Sequence, residues 1–389
     1  MAVNLLSPSW CEMDDAEVRF VVNEIIGGPG QYYGLEENPN TFYQPLAGQS
    51  CQIKLEFSTN SKRLVSVEPG PSFDAKKWCI VVSEIESQVP LKTGRDISFC
   101  GFRVEGSWRG EKSGVQILPP PVEAPKADVE LADHPFILEF PVKAGDNWPI
   151  TNFRRNRQHQ RLTFLLNVLL AGGTTIQSRR SRNFWASVRD ESSVFGSVKW
   201  VQEFYFVPFG EAVQNELSST NVGPMEIVDS ETYYASVGHD GRPLRIPSDL
   251  DESICSYLGL TRRRRDKFVR AGFWLDLASR QWTLSLSAVF ASLVSAIEAL
   301  TEDGRNNRAA KFRNFIERYV PGGSLEARRS EMYDLRSEIL HGSGLMEMDQ
   351  GSDFGWAPPE QREKDLLNEL WRLTRFAMRS WLKDPTTAE

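Results

Sequence analysis

The clearest apolar periodicity lies in the last third of the chain. Across 282–301, Phe290, Leu293, Val294, Ile297 and Leu300 recur at i, i+3, i+4 and i+7, the stripe that one buried helix face requires. The same spacing predicts helices over Arg263–Ala278, Trp282–Thr301, Arg308–Tyr319, Leu325–His341 and Gln361–Leu382. Pro321-Gly322-Gly323 is a stop between two of them, and Pro358-Pro359 opens the last. Residues 251–389 are therefore expected to form an all-α, up-and-down bundle of four or five helices.

The front of the chain is patterned differently. Residues 1–145 alternate short β-branched and aromatic runs with Gly, Pro, Asn and Ser clusters, which predicts a β-rich region. Strands are expected at Val18–Ile25, Gln52–Phe57, Trp78–Val82, Ile97–Val104, Val115–Leu118 and Phe136–Phe140. Proline at 119, 120, 121 and 125 excludes a central strand or helix there and marks a loop or internal linker. Residues 146–250 read as mixed, with a short buried helix at Arg161–Leu170, a strand at Val198–Phe206 and a turn-rich connection at Gly238–Pro247. The fold class expected is α+β and multidomain, ending in the helical bundle.

Composition supports a folded chain. At 389 residues, with 40% hydrophobic and 25% charged side chains, it is large enough for two or three cores without disulfides or structural metals. The N-terminal residues lack the basic start and apolar core of a secretory signal, and Ser285, Ser287, Ser292, Ser295 and Glu298 interrupt the longest apolar stretch, so neither export nor a membrane span is expected. The five cysteines are odd in number and unpaired in spacing, which fits free thiols in a reducing cytoplasm. None of the four histidines forms an i,i+4 pair, and HExxH, GxxxxGK[ST] and GxSxG are absent, so the common metalloenzyme, NTPase and serine-hydrolase chemistries lack their residues. No metal or cofactor is expected. Gly27-Gly28-Pro29-Gly30 and Gly172-Gly173-Thr174-Thr175 read as turns.

The most informative segment is Met332-Tyr333-Asp334-Leu335-Arg336-Ser337-Glu338-Ile339-Leu340-His341-Gly342. Met332, Leu335 and Ile339 are expected to pack inward, while Arg336 and His341 lie around the helix from them. Gly342 is a helix stop, putting His341 in the last turn, where the negative end of the dipole favours the imidazolium. Between Asp276 and Glu302 the only charges are Arg280 and Glu298. A carboxylate on so apolar a helix calls for a partner, and the forked guanidinium of Arg336 suits it, within one chain or across a dimer axis.

Ser295-Ala296-Ile297-Glu298-Ala299-Leu300, the basic helix Arg308–Arg318, and the run from Tyr333 to Gly342 with its Arg336, Ser337 and His341 together resemble the HEPN superfamily, most of all its Apea-like branch. The resemblance covers roughly residues 255–385 and leaves the first 250 unidentified. It implies a metal-independent endoribonuclease acting as a homodimer through the bundle, of the kind found among toxins and antiphage abortive-infection effectors. The implied catalytic residues are His341 as general base or acid, Arg336 on the scissile phosphate and Ser337 as a positioning hydroxyl, with Glu298 and Tyr333 supporting them. The alternative class is a catalytically silent bundle that dimerises or binds RNA.

Two basic stretches are candidate RNA contacts: Arg154, Arg155, Arg157, Arg179, Arg180 and Arg182 in the middle region, and Arg262-Arg263-Arg264-Arg265 at the start of the bundle. The plain reading of the first is a solvated face or an intramolecular contact with the acidic front. Ser343–Ala357 reads either as a mobile flap beside the site or as a plain loop. The net charge of −7 is unevenly spread: residues 1–150 carry 13 basic and 21 acidic side chains, 151–250 carry 11 and 10, and 251–389 carry 21 of each. An acidic front that senses a phage component or partner protein, and competes with RNA for the basic segments, is the regulatory arrangement this distribution suggests.

Overall fold

The computed structural model describes residues 4–7, 10, 14–27, 34–35, 41–43, 53–57, 64–86, 91–119, 134–170, 173–176, 185–189, 198–202, 222–235, 242–282, 284–301, 307–350 and 358–385. The chain divides into two compact units, one of residues 1–94 and 141–158, the other of residues 95–140 and 159–389.

The first unit opens with α1 (Asp15–Val22), begun by Asp14, whose carboxylate accepts the Ala16 amide at 2.9 Å, and continued by a π turn at Asn23–Gly27. Four antiparallel strands follow in the order β1 (Gly34–Leu35), β2 (Thr41–Tyr43), β3 (Ile53–Phe57) and β4 (Leu64–Pro69), with Leu55 opposite Val67. Helix α2 (Ala75–Glu86) starts at Asp74, which accepts the amides of Lys76 and Lys77. Val18, Val21, Val22, Ile53, Leu55, Val67, Trp78, Val81 and Ile85 fill one core. Two expected strands are therefore wrong, since Val18–Ile25 and Trp78–Val82 are helical. Both are short apolar runs whose aspartate caps, rather than their β-branched content, decide the outcome. The front region is mixed, and only part of the β content expected there is seen.

The second unit holds a five-stranded sheet. Strands β5 (Leu91–Cys100), β6 (Trp108–Arg109), β7 (Gln116–Leu118), β8 (His134–Lys143) and β9 (Thr175–Ile176) lie in the order β6-β7-β8-β5-β9. β5 ends at Cys100, so the strand expected to reach Val104 starts earlier and stops sooner. The expected short helix at Arg161–Leu170 is the end of a longer one, α3 (Trp148–Leu169). A hairpin of β10 (Trp185–Arg189) and β11 (Val198–Gln202) follows, then a parallel pair, β12 (Ile227–Val228) and β13 (Ile246–Pro247), around α4 (Ser230–Ala235).

From Leu250 onward the described chain is helical: α5 (Leu250–Leu258), α6 (Arg262–Gln281), α7 (Leu286–Leu300), α8 (Arg308–Tyr319), α9 (Glu326–His341) and α10 (Pro358–Lys383). Helix α7 is buried on almost every side, through Val289, Phe290, Leu293, Val294, Ile297 and Leu300, and is the centre about which the others pack. Gly272 of α6 lets α3 approach closely, since a Cβ there would stand 2.7 Å from that of Phe164. Among the described residues no helix is long and apolar enough to cross a membrane.

Candidate functional site

The site grows from the one charged side chain on α7. Ser285 caps that helix, its hydroxyl accepting the Ala288 amide at 3.2 Å, and three turns of apolar burial carry the helix to Glu298. Opposite lies α9, a peripheral helix on which only Arg329 and Met332 are buried. Leu335 and Ile339, expected to pack inward with Met332, are half-buried, as befits a helix on the outside of a bundle.

Between α7 and α9 the expected partners meet within one chain. Arg336 donates from Nη2 to Oε2 of Glu298 at 2.6 Å, and the Tyr333 hydroxyl donates to Oε1 at 3.2 Å. The guanidinium carbon of Arg336 is 5.7 Å from the centroid of the Tyr333 ring, and the Phe312 ring of α8 lies tilted against Tyr333, also at 5.7 Å. Burial, then the Glu298 carboxylate, pushes the Tyr333 phenol above its ordinary range, with Arg336 opposing. The phenol therefore remains a donor. Side-chain exposure is 12% for Arg336 and 17% for Glu298, and the Nε of Arg336 is buried with no hydrogen-bond partner among the described residues.

At about 100° per residue, Tyr333, Leu340 and Ser337 lie between Arg336 and His341 round α9, with His341 about 140° from Arg336. Ser337 is half-buried and His341 exposed, and neither makes a hydrogen bond to a described residue. Helix α9 ends directly after His341, where Gly342 adopts a left-handed φ of 72°, its amide bonding Ile339 O and that of Ser343 bonding Glu338 O. The chain beyond is anchored as far as Gln350. Asp349 accepts from the Ser285 hydroxyl at 2.8 Å and from the amides of Leu286 and Ser287 at 2.9 and 2.7 Å, while the Met346 amide donates to the Ser287 hydroxyl. Burial pushes the Asp349 carboxyl up, but the hydrogen bonds from Ser287, Ser285 and Leu286 outweigh it and hold it below the ordinary range. Residues 343–350 are thus a fastened connection; 351–357 lie outside the described residues.

The basic candidates separate by environment. Arg262 is buried, with Asp266 3.8 Å away, and Arg265 donates to the carbonyls of Leu258 and Leu260 at the end of α5, whereas Arg263 is exposed and Arg264 half-exposed. In the first unit Arg154 bridges Glu17 and Glu84 and donates to Ala144 O, Arg155 donates to Asn152, and Arg157 pairs with Asp14 at 2.8 Å. Those contacts follow the intramolecular reading of this stretch. Arg179, Arg180 and Arg182 lie outside the described residues.

One constellation was not anticipated. Ser98 on β5 lies 2.8 Å from Nε2 of His159 on α3, and Asp96 is 3.7 Å from Nδ1 of the same ring. Nucleophile, base and carboxylate are present, yet Ser98 has no exposed surface and offers no approach to an acyl group, so the cluster serves packing. Its members are separated by 61 residues from Ser98 to His159, and no local motif announces them.

No family model matches the chain, and no curated protein or solved structure matches it.

Proposed function

We propose that the chain is a metal-independent endoribonuclease of the HEPN type, working as a homodimer through its helical bundle. The observation that carries the reading is the Glu298–Arg336–Tyr333 cluster on the helix that also bears Ser337 and, in its last turn, an exposed His341. RNA supplies its own nucleophile, the 2′-hydroxyl, so the protein need only move protons and stabilise charge. His341 takes the 2′-hydroxyl proton or returns one to the leaving 5′-oxygen; the second proton partner comes from the other subunit. Arg336, oriented by Glu298 and Tyr333, offers its remaining donors to the phosphoryl oxygens as charge develops, and Ser337 positions the phosphate. The products are a 2′,3′-cyclic phosphate and a 5′-hydroxyl. The acidic front region regulates this activity, as a sensor of a phage component or partner protein.

A second reading, a silent bundle that dimerises or binds RNA, draws support from the carboxylate already held by Arg336. Incubation of the purified protein with end-labelled RNA in EDTA separates them. Cleavage is expected to persist in EDTA and to disappear in Arg336→Ala and His341→Ala. Cleavage that needs metal, or that survives both substitutions, overturns the nuclease reading.

A further inference from the structure

We infer that Arg308, in the first turn of α8, is a second phosphate-binding residue of the Arg336–His341 site, supplying the cationic charge that Glu298 removes from Arg336. This inference rests on the nuclease reading above.

The need for such a residue follows from charge. Glu298 sits 2.6 Å from Arg336, so the pair presents no net charge to an arriving phosphodiester, and His341 in its neutral form adds none. The other arginines on α8 and α9 near this face are engaged. Arg328 is held by Glu369 and Glu331, Arg329 by Glu317, and Arg313 donates to the Ser330 hydroxyl. Arg308 is exposed and makes no ion pair or hydrogen bond with a described residue.

Its position fits the role. Arg308 and Phe312 share a face of α8 at i and i+4, and the Phe312 ring lies against Tyr333, the residue that bonds Glu298. Arg308 is thus one turn beyond the Phe312–Tyr333 contact. The Tyr333 phenol registers it: burial and Glu298 push that group up, and Arg336 and Arg308 pull against them.

The placement also runs against helix electrostatics. A cation in the first turn faces the positive end of the dipole, and α8 has no acidic residue there to offset it. Asn307 before it takes a left-handed φ of 56° and caps nothing with its side chain. Local rules are broken in this way where a charge serves a ligand. Beside the amides of the helix start, Arg308 makes this end of α8 attractive to a phosphate.

The test uses full-length protein carrying His341→Ala, which binds without turnover, and a fluorescent single-stranded RNA followed by anisotropy against salt concentration. Arg308→Ala is expected to weaken binding about tenfold and to lower the slope of log Kd against log salt by about 0.7. Arg308→Lys should keep the slope, as should Arg318→Ala at the far end of the same helix. In the cleaving protein, Arg308→Ala should raise KM with kcat little changed, and its unfolding midpoint should match the parent. If the protein cleaves RNA and Arg308→Ala alters neither slope nor KM, the inference falls and the nuclease reading stands. A parent that neither binds nor cleaves RNA overturns both. A parent that binds without cleaving, and whose slope drops in Arg308→Ala, keeps the contact and removes the nuclease.

Discussion

Arg154 and Arg336 are both half of a buried arginine–carboxylate pair, and their surroundings give them different work. Arg154 is 4% exposed and its guanidinium is spent on Glu17, Glu84, Ala144 O and Glu84 O. Glu84 has no exposed side-chain surface and donates structure in return, accepting the Asp146 amide at 2.9 Å. Arg336 meets a single carboxylate and lies on the helix whose last turn carries the exposed His341. A guanidinium bonded on every side holds a fold together; on the proposed reading, one held by a single carboxylate has Nη donors left for a phosphate. Arginine count in the sequence did not separate the two, whereas the inventory of partners does.

That contrast can be broken in four places. The largest effect is expected at the Arg336–His341 site, where His341→Ala should lower RNA cleavage by about 10²–10⁴ and change stability by less than about 0.5 kcal/mol. Cleavage assays beside urea unfolding would show whether the two readouts part company. Arg154→Ala should do the reverse, costing about 3–5 kcal/mol by stranding the Glu84 charge; a loss under about 1 kcal/mol would mean the network is not saturated in the sense argued. Asp349→Asn should cost about 1 kcal/mol through the lost cap on α7. Because the folded carboxyl titrates below its unfolded value, its contribution is complete above the unfolded value and fades as pH falls through the folded one. The deficit of the variant against the parent should therefore be full at about pH 7 and shrink below about pH 4, as unfolding curves at both would record. Tyr333→Phe should cost a similar amount or less, about 0.5–1.5 kcal/mol for one hydrogen bond, and a pH–rate profile should show whether loosening Arg336 reaches the chemistry.

The helices of the C-terminal region were largely legible from the chain because amphipathic helices announce themselves by period. Arg308–Tyr319 has the bounds expected, and the Gly342 stop puts His341 in the last turn. The front was less so. Val18–Ile25 and Trp78–Val82 are rich in β-branched residues, but Asp14 and Asp74 cap helices, and Trp78, Val81 and Ile85 recur at three and four residues. Weighing those caps would have reversed both assignments. The Glu298–Arg336 contact was readable because an isolated carboxylate on an apolar helix needs a partner. The role of Arg154 was not, since Glu17 and Glu84 lie 137 and 70 residues away in sequence. Arg308 is one of several basic residues on its helix, and its place one turn from the Phe312–Tyr333 contact is not readable from the sequence.

Asp349 and Met346 return the chain to the first turn of α7, so the segment from Ser285 to Asp349 is clasped at both ends with α8 and α9 between. The exposed Pro321-Gly322 junction between those helices is the point at which one cut would divide the clasped segment in two. Such a cut would leave Glu298 and Arg308 on one fragment and Arg336 and His341 on the other. Neither piece would then hold the Glu298–Arg336 contact alone, and its re-formation on the Asp349 clasp would report their reunion.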